Sequence, residues 1–505
     1  MSAAPNPGDR AVRVRFAPSP SGYLHIGGAR TALFNYLFAR RHGGRFVLRV
    51  EDTDRERSTP EAVQAIFDGL RYLEIDWDEG PEVGGDHAPY FQSERRERHQ
   101  ACVRRLLESG AAYHCFCSQE RLAELRAQQK ARKERLHYDR RCAGLTPREV
   151  EERLAAGERA IVRFRVPEGR TVVEDAIRGE VVFAHREIED FPIQRADATP
   201  LYNLAVTADD GDMEISHIIR GEDHLSNTPK QVLLSRALGL EPAAYVHIPL
   251  ILAPGGGKLS KRHGAVSVTE YAEQGYLPEA MINFLVRLGW SYDDKQEIFS
   301  REELLEKFSL EGVSSSGAMY DVKKLEHLGG HYVRERATHE LCELALPFLV
   351  NAGLVTGSDV AVDGPLRERI ERMIELEQPR IHRLGELPER LRYYFEDPEE
   401  PDKGGRKALR KKKEAREVVK RYAEALERDF PRGWAARDHE LLEKHGTRFV
   451  EEAGMALGDV AQPVRVLVSG RSATPGLFEV LAVLGRDVCI RRLARADEWF
   501  DRAVS

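Results

Sequence analysis

The stretch from residue 12 to residue 50 constrains the fold most. Val12, Val14 and Phe16 alternate with Arg13 and Arg15, the period of a half-buried strand, and Pro18, Pro20 and Gly22 break that pattern. From Gly27 to Arg41 the apolar residues Leu33, Phe34, Leu37 and Phe38 recur at helical spacing. Gly43-Gly44 ends the run, and a second strand is expected over Phe46 to Val50. Strand, helix and strand in this order join parallel neighbours, so the chain is expected to build an open α/β sheet. Ligands of such sheets sit beyond the carboxyl ends of the strands, where this chain carries Arg15 and Glu51.

The remainder of the chain is too long for one such unit. At roughly 150 residues per domain, 505 residues imply three to four domains. The α/β pattern lapses after about residue 95. A charged helical stretch, Gln119 to Glu134, then mixes with strand-like runs at Ile161 to Val166 and Val181 to Ala184, which reads as an insertion. The pattern resumes at Tyr202, with a strand over Ile215 to Ile219. Asn227-Thr228-Pro229 then opens a helix through Ala237, with an N-cap and Pro at its first position. A Rossmann-like sheet split by an insertion is therefore expected. Beyond about residue 265 the periodicity is mainly helical. Glu396 to Arg421 holds an acidic then a basic block, read as a linker running into an exposed helix.

Composition narrows the function classes. With 42% apolar and 31% charged residues the chain reads as soluble and globular, and no run approaches 18 apolar residues, so no membrane partner is expected. Met1 to Arg10 lacks the apolar core of a secretory signal, which makes the cytoplasm the expected compartment. Six cysteines do not form a disulfide framework, and Cys102, Cys342 and Cys489 are expected to be packing residues. The net charge of -7 argues against a globally basic nucleic-acid coat and leaves room for a local basic face.

Two loops carry the chemistry. Ser19-Pro20-Ser21-Gly22-Tyr23-Leu24-His25-Ile26-Gly27-Gly28 lies between the first strand and the start of the helix, where backbone N–H groups and the helix dipole favour an anion. Gly255-Gly256-Gly257-Lys258-Leu259-Ser260-Lys261-Arg262-His263-Gly264 puts three cations and a hydroxyl in a loop bounded by glycines. Leu259 stands where a Walker loop needs Ser or Thr, so this is not that ATP-binding loop. Taken singly, each loop reads as a capped turn or a solvated turn. Taken together, in this order and about 230 positions apart, they resemble the HIGH and KMSKS signatures of class I aminoacyl-tRNA synthetases.

The longer strings, Arg15 to Leu33 and Lys258 to Gly264, resemble the bacterial-type glutamyl versions, in which Gly28 and Leu259 are usual departures from the general class I pattern. Leu201-Tyr202-Asn203-Leu204-Ala205, His217 to Pro229, and Gly470-Arg471-Ser472 with Pro475 and Leu477-Phe478-Glu479 look like the same family.

The resemblance implies an enzyme that joins L-glutamate to ATP and passes the glutamyl group to the 3′ end of tRNA(Glu), with tRNA(Gln) open as a second substrate. ATP and Mg2+ are the implied cofactors, and a monomer is expected. His25, Lys258 and Lys261 are the candidate catalytic residues. His25, Gly27, Gly28, Lys258, Ser260 and Lys261 are the candidate ATP contacts. Arg15, Tyr202 and Arg220 match positions that hold the substrate side-chain carboxylate, Glu51 matches the acceptor for its ammonium, and Ser19 assists. Guanidinium groups donate and never accept, so they favour glutamate over glutamine, whose amide N–H would face another donor. The competing roles are a strand-end salt bridge for Arg15, a core ring for Tyr202, an ion pair within Arg49 to Arg55 for Glu51, and pairing with Glu222 or Asp223 for Arg220. Asp223 itself is read as structural.

Cys115, Cys117 and Cys142 suit a structural Zn2+, which wants four ligands. Gly144 occupies the place where some members of the family have the fourth, so Tyr138, His137 or Asp139 would have to supply it, with unligated thiols as the alternative. Arg380 looks like a family arginine near the anticodon-reading surface, and the run Lys407 to Lys413 is either a tRNA contact or a solvated helix face.

The implied domains are residues 1–95 and 201–245 for the split catalytic domain and 96–200 for an acceptor-arm insertion. A stem-contact region follows at 246–335, then helical anticodon-binding parts at 336–400 and 401–505. Its rivals are a glutamylator of queuosine in tRNA, which lacks the helical half, a nucleotidyltransferase acting without RNA, and an inactive RNA-binding protein.

Overall fold

The structure, a computed structural model, describes residues 10–20, 22–54, 58–257, 259, 267–293, 295–357 and 364–504. Lys258, Ser260 and Lys261 lie outside the described residues. The chain divides into two compact units: residues up to Ala272 with Met281–Val322, and Glu273–Ala280 with the chain from Lys323 onward.

In the first unit the opening pattern forms as its periodicity requires. β1 (Arg13–Phe16), α1 (Ile26–Arg41) and β2 (Arg45–Leu48) make a strand–helix–strand unit in which the strands pair in parallel, Arg13 opposite Arg45 and Phe16 opposite Leu48. α1 starts at His25, whose side chain accepts from the Gly27 N–H. It ends at Arg41, Gly43 just beyond its His42 cap has a φ of +59° that favours glycine, and a Cβ on Gly44 would stand 2.4 Å from the Val12 carbonyl oxygen. Ile26, Leu33, Phe34, Leu37 and Phe38 are buried, each worth roughly 1.5–3 kcal/mol of apolar transfer. β2 stops at Leu48, two residues short of the expected Val50, which makes an isolated bridge to Phe91 instead.

Next come α2 (Pro60–Tyr72), α3 (Arg96–Glu108), β3 (Ala112–Cys115), α4 (Gln119–Ala131), α5 (Pro147–Ala155), β4 (Ile161–Phe164), β5 (Arg170–Asp175), β6 (Gly179–Ala184) and β7 (Pro192–Gln194). They are followed by α6 (Tyr202–Asp212), β8 (His217–Gly221), α7 (Thr228–Ala237), β9 (Ala244–Ile248), β10 (Ile251–Leu252), α8 (Val268–Glu273), α9 (Pro278–Arg287), α10 (Arg301–Lys307) and β11 (Ala318–Met319). β8 and β9 pair in parallel. Ser216 links β8 to β1, its N–H donating to the Arg13 carbonyl at 2.9 Å and its Oγ accepting from the Arg13 N–H at 2.8 Å.

Two expectations need correction here. The hairpin β5–β6, read as part of an insertion, extends the same sheet as β8 and β9, in the order β6-β5-β9-β8. Only β3, β4 and β7 form a separate antiparallel sheet within residues 96–200. The helix over 228–237 is present, but Thr228 is its first residue. Asn227 is in the αR region with no side-chain cap bond, because a 3-10 turn over Glu222–Asn227 already leads into it.

The second unit is helical. α11 (Val322–Glu335), α12 (Thr338–Asn351), α13 (Pro365–Glu377), α14 (Leu387–Phe395), α15 (Lys403–Lys411), α16 (Arg416–Asp429), α17 (His439–Glu452), α18 (Leu457–Ser469), α19 (Leu477–Leu484), α20 (Arg486–Leu493) and α21 (Ala496–Val504) pack on one apolar core. That core includes Ile374, Leu391, Leu426, Leu467, Leu481 and Trp499. Cys342 and Cys489 are buried in it, as expected of packing residues. In the block Glu396 to Arg421 the acidic stretch to Asp402 forms neither helix nor strand and runs into α15, whose basic residues Lys407, Arg410 and Lys411 are exposed, while its apolar side is anchored. Asp397 accepts from Arg491 and Arg492 at 2.8 Å, Asp402 caps α15, and Leu409 and Ala415 are fully buried. Asp397 ties the stretch to partners 94 and 95 positions away, whereas the charges of Lys407, Lys411 and Lys413 face solvent.

Candidate active site

A cavity of about 740 Å³ opens in the first unit beyond the carboxyl ends of β1 and β8. The β1–α1 loop supplies Ser19, Tyr23, His25, Gly27 and Gly28, while β8 supplies Arg220 and α6 supplies Tyr202. Arg15 and Glu51 line it as well, as does Leu259 from the glycine-bounded loop. All the sequence-derived glutamate residues therefore meet at one cavity.

At the α1 end, Gly27 N–H donates to His25 Nδ1 at 2.9 Å. That bond makes Nδ1 the acceptor and leaves the proton of the neutral ring on Nε2, as a donor. His25 and Ser19 are exposed.

At the other end lies a buried charge cluster. Arg15 donates to Asp210 through Nε at 3.1 Å and Nη2 at 3.3 Å, so the strand-end salt bridge weighed for it is present. Arg49 donates to Asp210 Oδ1 at 2.7 Å and to Glu51 Oε1 at 3.0 Å, so the local ion pair weighed for Glu51 is present too. Burial drives the Glu51 carboxyl above its ordinary range, although Arg49 and Arg15 oppose the rise. Burial opposes the charge on Arg49, yet Asp210 and Glu51 outweigh it and hold the group above its ordinary value.

Arg220 differs. It is 5% exposed and donates to His247 Nε2 at 3.2 Å, Gln231 Oε1 at 2.7 Å and Thr228 Oγ1 at 2.9 Å, all neutral acceptors. The pairing with Glu222 or Asp223 weighed from sequence is not formed: Glu222 pairs with Arg178, and its other oxygen accepts from the Leu250 N–H at 2.8 Å. Burial accordingly lowers the Arg220 pKa. Three buried guanidiniums, Arg15, Arg49 and Arg220, thus face two buried carboxylates, Glu51 and Asp210. Arg30, also buried in the cavity lining, donates to the Leu288 and Pro249 carbonyls and has no carboxylate either, so among the described residues the buried charges around the cavity are positive in excess, which an anionic amino acid such as glutamate would offset. Tyr202 Oη lies 3.0 Å from His224 Nδ1, and burial pushes its phenol up to about 12, so it stays a neutral donor.

The sequence did not single out Asp210, Arg49, Tyr23, His224 or Glu270. For Asp210 the available signal was a carboxylate pair, Asp209-Asp210, at the end of an apolar helical run. Asp223, read as structural, lines the cavity.

Elsewhere in the first unit Cys115, Cys117 and Cys142 place their sulfurs within 4.8 Å of one another. Tyr138, 5% exposed, puts its hydroxyl 3.3 Å from Cys115 Sγ and 3.6 Å from Cys117 Sγ. Of the fourth ligands considered, Tyr138 joins the thiols, whereas His137 Nδ1 contacts the Arg135 carbonyl and Asp139 pairs with Arg121. In the second unit Arg380 is half-buried, 3.9 Å from Glu377. Of the basic run Lys407 to Lys413, Arg410 donates to the Ala503 carbonyl and Lys412 pairs with Asp459.

Comparison with known proteins extends over this whole arrangement. The family described as tRNA synthetases class I (E and Q), catalytic domain, matches residues 11–327, and an anticodon binding domain matches residues 340–497. The glutamate–tRNA ligase of Moorella thermoacetica is 46% identical over 97% of this chain and 98% of its own. That of Desulforudis audaxviator is 46% identical over 98% of each. A crystal structure of a glutamate tRNA ligase from Elizabethkingia meningosepticum, in complex with its amino acid, superposes with a TM-score of 0.86 at 31% identity, over 97% of this chain and 99% of that one. Since these matches run from the first strand to the last helices, the chain belongs to the glutamate–tRNA ligase family of class I aminoacyl-tRNA synthetases.

Proposed function

We infer that the chain is a glutamate–tRNA ligase, and that the cavity of the first unit is where glutamate and ATP meet. The enzyme activates glutamate with ATP, releasing pyrophosphate, and transfers the glutamyl group to the 3′ end of tRNA(Glu). The observation that carries this reading is Arg220, a buried guanidinium with only neutral partners in direct contact, on a cavity whose buried lining holds more guanidiniums than carboxylates.

In this reading Arg220, Arg15 and Tyr202 donate to the substrate's side-chain carboxylate. Glu51 accepts from its ammonium, and Ser19 assists at the rim. Glutamine would turn an amide N–H toward these donors and leave the excess charge unmet. His25, with its proton on Nε2, donates to the phosphate charge that develops as pyrophosphate leaves, and Gly27 and Gly28 let oxygens approach the start of α1. Lys258, Ser260 and Lys261 are assigned to the triphosphate through the family signature. Class I synthetases use ATP with Mg2+, which when bound neutralises phosphate charge. The reaction needs no enzyme nucleophile, so positioning and charge neutralisation supply the acceleration.

We assign residues 96–200, apart from the β5–β6 hairpin that joins the sheet of β8 and β9, to the acceptor arm, 246–335 to the stem and 336–505, including Arg380, to the anticodon. A monomer acting in the cytoplasm fits this assignment, and among the described residues no helix is long and apolar enough to cross a membrane. Cys115, Cys117, Tyr138 and Cys142 fit a structural Zn2+, whose ligands are commonly four and tetrahedral. The test is charging of separately purified tRNA(Glu) and tRNA(Gln) with labelled glutamate, with labelled glutamine as control. Glutamylation of tRNA(Glu) alone makes the enzyme discriminating, and glutamylation of both makes it non-discriminating. Charging of neither by folded protein overturns the reading.

A further inference from the structure

A buried cation without a carboxylate must be held by something, or its substrate will find it misdirected. Arg220 Nε donates to His247 Nε2 at 3.2 Å. A guanidinium can only donate, so His247 Nε2 is an acceptor and the imidazole proton is on Nδ1. That proton is donated to Asp175 Oδ2, 2.6 Å away. Asp175 is itself anchored by three backbone N–H groups, those of Ile177 and Arg178 at 3.0 Å and of His247 at 3.1 Å. His247 is fully buried and Asp175 is 3% exposed, and neither lines the cavity. They sit on β9 and at the end of β5, which pair in parallel at Asp175 and Tyr245.

We propose that His247, held by Asp175, is a positioning residue that fixes Arg220 as an open cation for the substrate side-chain carboxylate, and so supports the preference for glutamate. This rests on the assignment of Arg220 to that carboxylate. The design has a clear electrostatic sense. A carboxylate in direct contact with Arg220 would orient it but quench it, competing with the substrate. A neutral imidazole orients it while keeping the compensating negative charge one residue further away. The hairpin β5–β6, which enters the sheet from the segment assigned to the acceptor arm, is thereby part of glutamate recognition.

The test is steady-state charging of tRNA(Glu) by the full chain, varying glutamate and ATP separately. His247→Asn keeps a donor toward Asp175 but removes the acceptor for Arg220. His247→Gln can set an amide oxygen near the Nε2 position. His247→Asn should raise the glutamate KM about tenfold, the scale of one lost hydrogen bond to a charged group, with the ATP KM within about twofold. His247→Gln should recover to within about threefold of wild type. In an Arg220→Ala background, His247→Asn should change kcat/KM for glutamate by less than about twofold, because its route to the substrate is gone.

An unchanged glutamate KM in His247→Asn while Arg220→Ala raises it overturns this inference and leaves the Arg220 assignment standing, as does an equal loss in both backgrounds. An unchanged glutamate KM in Arg220→Ala overturns both. Should His247→Asn fail to fold, Asp175→Asn carries the same expectations for glutamate KM and for the Arg220→Ala background.

Discussion

Arg15 and Arg220 are both buried, yet they carry opposite electrostatic obligations. Arg15 shares Asp210 with Arg49 and would remain satisfied without substrate, whereas Arg220 awaits an anion. An unpaired buried charge costs stability, which is tolerated where binding repays it. Glu51 gives a pH signature at the same scale. Burial raises its carboxyl pKa, so as pH falls the acceptor for the substrate ammonium is lost earlier than for an ordinary carboxylate. kcat/KM for glutamate should therefore fall with decreasing pH on the acid side. Glu51→Gln should start about 100-fold lower and lose that limb. A variant profile with the same acid limb as wild type would remove Glu51 from the role.

Helix α6 shows how one element serves site and scaffold together. Its Asp210 faces the cavity charges, while Asp209 turns to Arg95 at 2.6 Å and His99 and Gln92 at 2.8 Å. Burial alone would raise the Asp209 pKa, but His99, Arg49 and Arg95 bring it down to about 2 from 3.8. A carboxylate depressed in the folded state contributes stability that is present above its unfolded pKa and lost as pH falls toward the folded one. That contribution, about 2 kcal/mol for a shift of this size, should therefore persist above pH 4 and fade between about 4 and 2. Asp209→Asn should cost about 2 kcal/mol at pH 7, read as a lower thermal transition, because it takes from buried Arg95 one of its two carboxylates, Asp212 remaining, and from His99 its charged partner. No change in that transition would contradict the geometry.

The loop carrying Cys142 makes a second test at this scale. The purified protein is expected to carry about one zinc per chain by elemental analysis, and Cys142→Ala to lose it. Zinc-free wild type with the same melting temperature would leave the thiols as packing groups.

Across the whole molecule, the cavity proposed for activation lies in one unit and the matched anticodon-binding domain in the other. We propose that activation of glutamate waits on bound tRNA, so pyrophosphate exchange should appear when tRNA(Glu) is added and be absent without it. Robust exchange without tRNA would contradict this. Arg380→Ala should raise the tRNA KM several-fold, the scale of one lost phosphate or base contact, without moving the glutamate KM. A shift in the glutamate KM instead would move Arg380 out of the tRNA surface.

The sequence by itself determined the strand–helix–strand start, the helical second half and the residues gathered at the cavity. Each is written in a local period or a contiguous motif, and backbone geometry translates those directly: Gly44 must be small because Val12 passes close by. Only the tertiary structure decided which charges are answered. Asp210 meets Arg15 across 195 positions, Asp397 meets Arg492 across 95, and Asp175 meets His247 across 72. A charge looks the same in sequence whether it will be solvated, paired or left open. Folding sets its partners, and in this chain it left Arg220 without a carboxylate.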